Sequence, residues 1–346
     1  MATQPSPSSP RRTPGLSGSF LNVVLGNLYP GAPAPPYPYP YRFLLNEPDK
    51  CRDRTPFLVL LVVTQPRDVH GRNAIRQTWG NESSVPGVSI LRLFLTGIDP
   101  VFGRELRPVL EEESLLYHDI LQQDFLDTYN NLTLKTLMGM EWVSKHCPNA
   151  SYVMKADHDV FLNLGYLVHR FLVPPKQNFM TGYIYRNTGP LRSKAYKWYV
   201  PREVYPNNTY PPYCGGPGYV FSGDLASKIY GVAQTLPVIN MEDSFVGICL
   251  HALGIGVTSS PWGVFNMYRI KYEKCRFSRL VMVHHYQPWD LLQIWPRFQE
   301  EKRRHPAARC RNVWAWEPLG TVGSPGQRLR APSWANTAPP FLQKGE

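Results

Sequence analysis

At 346 residues with 43% hydrophobic and 13% aromatic content, the chain can bury a large core, as one big domain with tails or as two small ones, and a disordered protein is excluded. Its formal net charge of +11 favours acidic partners such as phosphates, anionic glycans or membrane surfaces. The basic residues are dispersed apart from Lys302-Arg303-Arg304-His305, which reads as a solvated helix end, and with no zinc-finger spacing or aromatic RNA-binding signature no nucleic acid partner is expected.

Residues 1–54 are rich in Pro, Ser and Gly, including Pro33-Ala34-Pro35-Pro36-Tyr37-Pro38-Tyr39-Pro40, and read as an extended, poorly ordered stem. Apolar strand-like runs at 57–63, 90–95, 152–154, 180–185 and 219–221 then alternate with helical patterns, which implies an α/β domain with a mainly parallel sheet over residues 55–314. Residues 315–346 repeat the stem composition and read as a tail.

Between the first two runs, Arg72 and Arg76 lie four apart and share one helix face, where two guanidinium groups suit a phosphate or a uracil edge, or make an ordinary surface pair beside Trp79. A helix capped by Asn130 or Asn131 and carrying Leu134, Leu137, Met138, Met140 and Val143 leads into the run at 152–154. That run ends in Asp157-His158-Asp159. In an extended segment residues i and i+2 point to the same side, so both carboxylates meet one hard divalent cation, and the apolar flanks leave the two acids in need of such a partner. In open α/β sheets ligands bind outside the carboxyl ends of the strands, which is where this turn belongs.

The segment Tyr213-Cys214-Gly215-Gly216-Pro217-Gly218-Tyr219 has neither dinucleotide-binding nor P-loop order. Its glycines, Gly216 and Gly218 among them, either let a loop come close to a ligand or permit a tight bend before a strand. One helix follows Ser222 and Asp224, and another runs from Glu242 to a stop at Gly254. Glu242 and Asp243 therefore occupy a first turn, where acids are favoured by the helix dipole whether or not they have a further task. His284-His285 follows the apolar run 280–283, and one of these imidazoles completes a metal site begun by the aspartates or is satisfied structurally.

The six cysteines are spaced singly, which argues against structural zinc, and the even count suits disulfides. Asn-x-Ser/Thr sequons at Asn81, Asn131, Asn149 and Asn207 point to a lumenal protein. No run of about 18 apolar residues is present to span a bilayer, and no signal-peptide core is legible near the start, so either an incomplete or alternative N-terminal form or entry by another route is expected.

Five segments in order, residues 72–80 (RNAIRQTWG), 113–136 (ESLLYHDILQQDFLDTYNNLTLKT), 152–163 (YVMKADHDVFLN), 210–222 (YPPYCGGPGYVFS) and 242–250 (EDSFVGICL), resemble the β-1,3-glycosyltransferase family that includes β-1,3-galactosyltransferases and β-1,3-N-acetylglucosaminyltransferases. The likeness spans roughly residues 55–300, and Lys197-Trp198-Tyr199-Val200 with Tyr205-Pro206 favours the galactosyl branch. Ala156 stands where many relatives have Thr, and His158 where a small or acidic residue is usual.

The resemblance implies a type A glycosyltransferase fold, a UDP-sugar donor, Mn²⁺, and an inverted β linkage to the 3-hydroxyl of a glycan acceptor on a glycoprotein or glycolipid. It implies Asp157, Asp159 and His284 at the metal, Asp243 as the base with Glu242 in reserve, and Arg72, Arg76 and Lys135 at the nucleotide and phosphates, with residues 215–219 lining the sugar sites. Golgi residence and membrane association follow from the family, although no anchor is legible. A β-1,3-N-acetylglucosaminyltransferase, a metal-dependent phosphohydrolase and a catalytically silent glycan-binding relative are the alternatives.

Overall fold

The computed structural model describes residues 41–261 and 263–304. Strand β1 (Phe43–Leu45) and strand β2 (Leu58–Val63) precede helix α1 (Val69–Gln77), and β3 (Ile90–Ile98), helix α2 (Gly103–Tyr117) and β4 (Ile120–Leu126) follow. Helix α3 (Leu132–His146) leads to β5 (Tyr152–Asp157), β6 (Val160–Leu162), β7 (Met180–Tyr185) and β8 (Tyr213–Ser222). Helices α4 (Asp224–Ala233) and α5 (Glu242–Ala252), short strands β9 (Phe265–Asn266) and β10 (Met282–His284), and helix α6 (Pro288–Arg304) complete the described chain.

The larger sheet has the order β1-β4-β3-β2-β5-β8-β7, in which β4, β3, β2 and β5 run parallel and β1 and β8 run antiparallel to their inner neighbours. Every residue of β2 is buried, the unbroken apolar run that a parallel strand covered on both faces requires. Alternate side chains feed two cores. Val59, Leu61 and Val153 pack with Leu137 and Val143 of α3, Ile229 of α4 and Phe245 of α5, while Leu58, Leu60 and Met154 pack with Ile75, Trp79, Leu291 and Phe298 on the other face. Fully burying each of these large side chains contributes about 1.5–3 kcal/mol. The fold is thus α/β, a mainly parallel sheet flanked by helices.

Strand order reverses between β2 and β5, so the sheet has its topological switch point there, with Val63 paired to Asp157 at the carboxyl ends. A second sheet, β6-β10-β9, pairs Val160 with His284 and carries the chain just past Asp157 up to the histidine pair. Helix α5 stops where expected: Gly254 takes φ 70°, its N–H donates to the His251 carbonyl, and that of Ile255 donates to the Leu250 carbonyl.

Three sequence expectations change. The boundary at residue 55 moves toward the N-terminus, because Phe43 and Leu45 pair with Gln123 and Gln122 of β4 and Cys51 forms a disulfide with Cys147 across a Cα separation of 5.4 Å. Residues 1–40 of the expected stem, and the expected tail, lie outside the described residues. The glycine-rich segment does not precede a strand but lies inside β8, which begins at Tyr213 and contains all three glycines, and its pairing with β7 shifts register there, between Gly182–Tyr219 and Ile184–Cys214. Asn131 is the N-cap residue of α3, as one of the two expected, but its side chain makes no capping bond and its N–H group donates to the Leu126 carbonyl at 2.9 Å instead. Among the described residues no helix is long and apolar enough to cross a membrane.

Candidate active site

The carboxyl ends of β2 and β5 open into a cavity of about 700 Å³ whose wall includes Gln65, Lys135, Asp157, Asp159, Asp243 and His284. That volume is within the range of roughly 300–1,000 Å³ that small-molecule sites occupy. Acids separated by more than eighty residues in the chain converge because β5, β8 and the start of α5 meet at this edge of the sheet.

On one side of the cavity, the register of β6 with β10 sets His284 beside Asp159, with His284 Nε2 3.4 Å and His285 Nδ1 3.9 Å from Asp159 Oδ2. His285 takes φ 63°, and the two imidazoles stack with centroids 3.8 Å apart. One ligand atom from each of Asp159, His284 and His285 lies within 4.8 Å of the others. One carboxylate with two imidazoles is a donor set for a first-row transition ion. Burial alone raises the Asp159 carboxyl, but the hydrogen bond and charge of His284 override that and hold it below the usual carboxylate range. Burial, reinforced by the His284 charge, lowers His285 and favours its neutral, ligating form.

Asp157 does not join this cluster. Residues 158 and 159 form a turn and not a continued strand, so the two aspartates part company and Asp157 Oδ1 takes the Lys155 ammonium at 2.7 Å. Of the expected trio Asp157, Asp159 and His284, the last two lie in this cluster together with His285, and Asp157 lies outside it.

On the other side, Asp243 is fixed by backbone donors: Gly216 N–H reaches Oδ2 at 3.1 Å and Ser244 N–H reaches Oδ1 at 2.8 Å. A Cβ at Gly216 would lie 3.2 Å from Glu242 Oε2, a tight approach, and 3.7 Å from Asp243 Oδ2, an ordinary contact. Burial raises the Asp243 carboxyl above its ordinary value, making it a better proton acceptor than an exposed aspartate. Glu242 is the more enclosed of the pair, accepting from the Tyr219 hydroxyl and lying 3.5 Å from Lys155. Its carboxyl is pushed up to about 7, burial being the main cause.

Sequence reasoning passed over Lys155. Its side chain is 4% exposed, and its ammonium contacts Asp157, the Gly216 carbonyl at 2.5 Å and Glu242. Burial pulls its pKa down, yet the charges of Asp157 and Glu242 outweigh that and keep the ammonium protonated, above the ordinary lysine value. The available signal was its spacing: Lys155 and Asp157 are two apart on a strand and share a face.

Lys135 meets the expectation of position, lining the cavity, with its ammonium on the Thr64 carbonyl at 2.8 Å and Asp127 at 2.5 Å. Arg72 and Arg76 do not line it, and their expected contact with a nucleotide is corrected. Arg72 is fully buried, its guanidinium spent on Glu113 and on the Gln65 and Pro66 carbonyls. Arg76 is held by Asp119, Glu113 and Asn73. Gly218 is likewise corrected: it pairs with Ala156, and a Cβ there would lie 2.5 Å from Met282 Sδ, so it packs the sheet while Gly216 faces the cavity.

Fold and site together define an α/β protein with a carboxylate and histidine cluster facing a fixed aspartate across the strand switch point. Residues 70–261 match the galactosyltransferase family and residues 33–59 match the β-1,3-galactosyltransferase 2 N-terminus, and the chain belongs to the galactosyltransferase family. It is 47% identical over 265 residues to β-1,3-galactosyltransferase 2 of Mus musculus, covering 75% of this chain and 63% of that protein. With β-1,3-galactosyltransferase 1 of Mus musculus it is 43% identical over 265 residues, covering 75% of this chain and 79% of that one. The chain therefore spans less than two thirds of the length of β-1,3-galactosyltransferase 2. Among solved structures, the apo bifunctional glycosyltransferase WbbM shows a remote likeness, with a TM-score of 0.37 at 13% identity over 74% of this chain and 51% of that one.

Proposed function

We propose that this protein is an inverting β-1,3-galactosyltransferase that moves galactose from UDP-galactose to the 3-hydroxyl of a glycan acceptor on a glycoprotein or glycolipid. The observation that carries the reading is the placement of Asp243, anchored by two backbone N–H groups, on the same cavity as the Asp159, His284 and His285 cluster. The similarity to β-1,3-galactosyltransferases supports galactose over N-acetylglucosamine as the sugar transferred.

In this reading the acceptor oxygen forms a bond to C1 of galactose as the bond from C1 to the diphosphate oxygen breaks on the opposite face, which inverts the anomeric centre. Asp243 takes the hydroxyl proton, and UDP leaves as the anion. The donors at Gly216 and Ser244 hold the carboxylate in one orientation, Oδ1 accepting from both the Ser244 N–H and hydroxyl, and leave Oδ2 a further lone pair for that proton. Asp159, His284 and His285 would hold Mn²⁺, which when bound supplies Lewis-acid stabilisation of the departing diphosphate. Lys155 keeps Asp157 and Glu242 in place between the two sides. The sequons and the Cys51 to Cys147 disulfide support a lumenal, oxidising compartment, which for a family acting on glycans is the Golgi apparatus.

The test is transfer from UDP-galactose, with UDP-N-acetylglucosamine as the competing donor, to N-acetylglucosamine- or N-acetylgalactosamine-terminated acceptors in Mn²⁺. Asp243→Asn is expected to lower kcat by about 10²–10⁴-fold, the usual contribution of a positioned base. Near-full turnover of that variant removes Asp243 from the role, and release of phosphate or UMP without an acceptor replaces transfer by hydrolysis.

A further inference from the structure

We infer that the acceptor is an oligosaccharide read over at least two sugar residues, the terminal one lying on Trp198 and Tyr129 and the next one in a second cavity beside them. This inference rests on the galactosyl-transfer reading of the main cavity and adds to it the length of the acceptor.

The chain between β7 and β8, residues 186–212, is long for a connection without regular structure, and such segments are commonly functional. It is firmly pinned. Arg192 donates to the carbonyls of Val200, Tyr205 and Asn207, each at 2.7 Å, and Val200 and Tyr205 are wholly buried. Between these anchors the loop presents Trp198, which remains 42% exposed and lines the main cavity with Tyr129, also 42% exposed. A rigid loop that leaves two aromatic faces in water at the mouth of a cleft is poised for a ligand that covers them.

The chemistry of the pair favours a sugar. Trp198 Nε1–H donates to the Tyr129 hydroxyl at 2.7 Å, which satisfies the indole and leaves the Tyr129 O–H proton as a donor for a ligand. Lys197 Nζ lies 5.0 Å from both ring centroids, covering one face of each. What the pair offers the cleft is chiefly aromatic face, with the Tyr129 O–H and the Lys197 ammonium as donors at its edge. The C–H face of a pyranose matches such a plate, and its hydroxyls point outward to polar groups at the rim.

Beyond the plate lies a second cavity of about 440 Å³, walled by Asn130, Tyr196, Lys197, Val204, Val238 and Asn240. Lys197 and Asn240 also line the main cavity, so the two spaces abut through them. At the junction the Asn240 side-chain N–H group reaches Asn130 Oδ1 at 3.5 Å, which puts amide groups where the hydroxyls of a second sugar would pass. The groove therefore runs from Asp243 across Trp198 and Tyr129 to Tyr196.

The test compares a monosaccharide glycoside with a disaccharide acceptor carrying the same terminal sugar, using UDP-galactose and Mn²⁺. Wild type is expected to favour the disaccharide in kcat/KM. Tyr196→Ala and Asn240→Ala are each expected to shrink that preference by about three- to tenfold, the effect of losing one aromatic or polar contact, while Tyr196→Phe restores it. Trp198→Ala raises KM for both acceptors while calorimetry with UDP alone gives the wild-type Kd. Absence of a preference in wild type, or a preference untouched by both Tyr196→Ala and Asn240→Ala, overturns the second subsite. Weakened UDP binding in Trp198→Ala assigns the plate to uridine and overturns the proposal. Wild type that transfers to neither acceptor sinks the transfer reading beneath it, an outcome told apart because it needs no variant.

Discussion

Lys155 and Glu242 lie 3.5 Å apart, nitrogen to oxygen, with both side chains buried, and the same ammonium holds Asp157 at 2.7 Å. One lysine thus ties the end of β5 to the start of α5. Lys155→Met leaves the buried Glu242 and the part-exposed Asp157 without their cation, and removing one partner of a buried pair costs about 3–5 kcal/mol. Denaturant unfolding of this variant reads the loss directly. A change under about 1 kcal/mol would mean that water reaches the carboxylates and that the lysine is dispensable.

Glu242 makes stability depend on pH in a stated direction. Burial pushes its carboxyl from the ordinary 4.5 up to about 7, with Asp243 adding to the rise and Lys155 opposing it. Between those values the folded protein holds a proton that the unfolded chain has already lost, so this group stabilises most at low pH and its contribution fades as pH rises through 7. Thermal unfolding of Glu242→Gln beside wild type, at about pH 5 and about pH 7.5, is expected to show the variant gaining relative stability at the higher pH. Parallel shifts at both would contradict a raised Glu242.

The proposed ligand set Asp159, His284 and His285 predicts an order of metal affinities. An outer partner of a metal ligand is worth about 10–100-fold, so loss of a direct ligand costs at least about tenfold. Titration of Mn²⁺ alone is expected to bind wild type and to weaken by that much or more in Asp159→Asn, His284→Ala and His285→Ala. Asp157→Asn, whose carboxylate faces Lys155, is expected to cost less than His285→Ala. The reverse order would restore the Asp-x-Asp reading of the motif.

Arg76 is expected to matter for folding and not for donor binding. Its guanidinium bridges Asp119 and Glu113 in a largely buried position away from the cavity. Arg76→Met is expected to destabilise the fold by less than the ~3–5 kcal/mol of a stranded buried charge, because Arg72 still pairs with Glu113 and Arg92 with Asp119. The variant that remains folded is expected to bind UDP as wild type does. A selective loss of UDP affinity at unchanged stability would return Arg76 to the nucleotide.

Much of the architecture was readable from apolar runs. Residues 58–63 and 152–156 carry no solvent-facing alternation, which announces strands covered on both sides, and the helical spacing around Leu137, Ile229 and Phe245 placed α3, α4 and α5. Strand β4 escaped because Gln122 and Gln123 interrupt it. Both are buried and use their amides on the Gly97 carbonyl and Glu141. Strand β1 escaped because three residues beside a proline-rich segment have no pattern of their own, and a distant disulfide and the edge of β4 hold them.

The sequence by itself determined the class of fold, the family, and the acids and histidines from which a site was to be built, because hydrophobic period and residue chemistry are local properties. The tertiary structure alone decided the partnerships: Asp157 with Lys155, Asp159 with two histidines, and Arg72 and Arg76 with buried acids. A charged side chain chooses its partner by distance in space and by the cost of leaving a buried charge unpaired, and neither is written in the spacing along the chain.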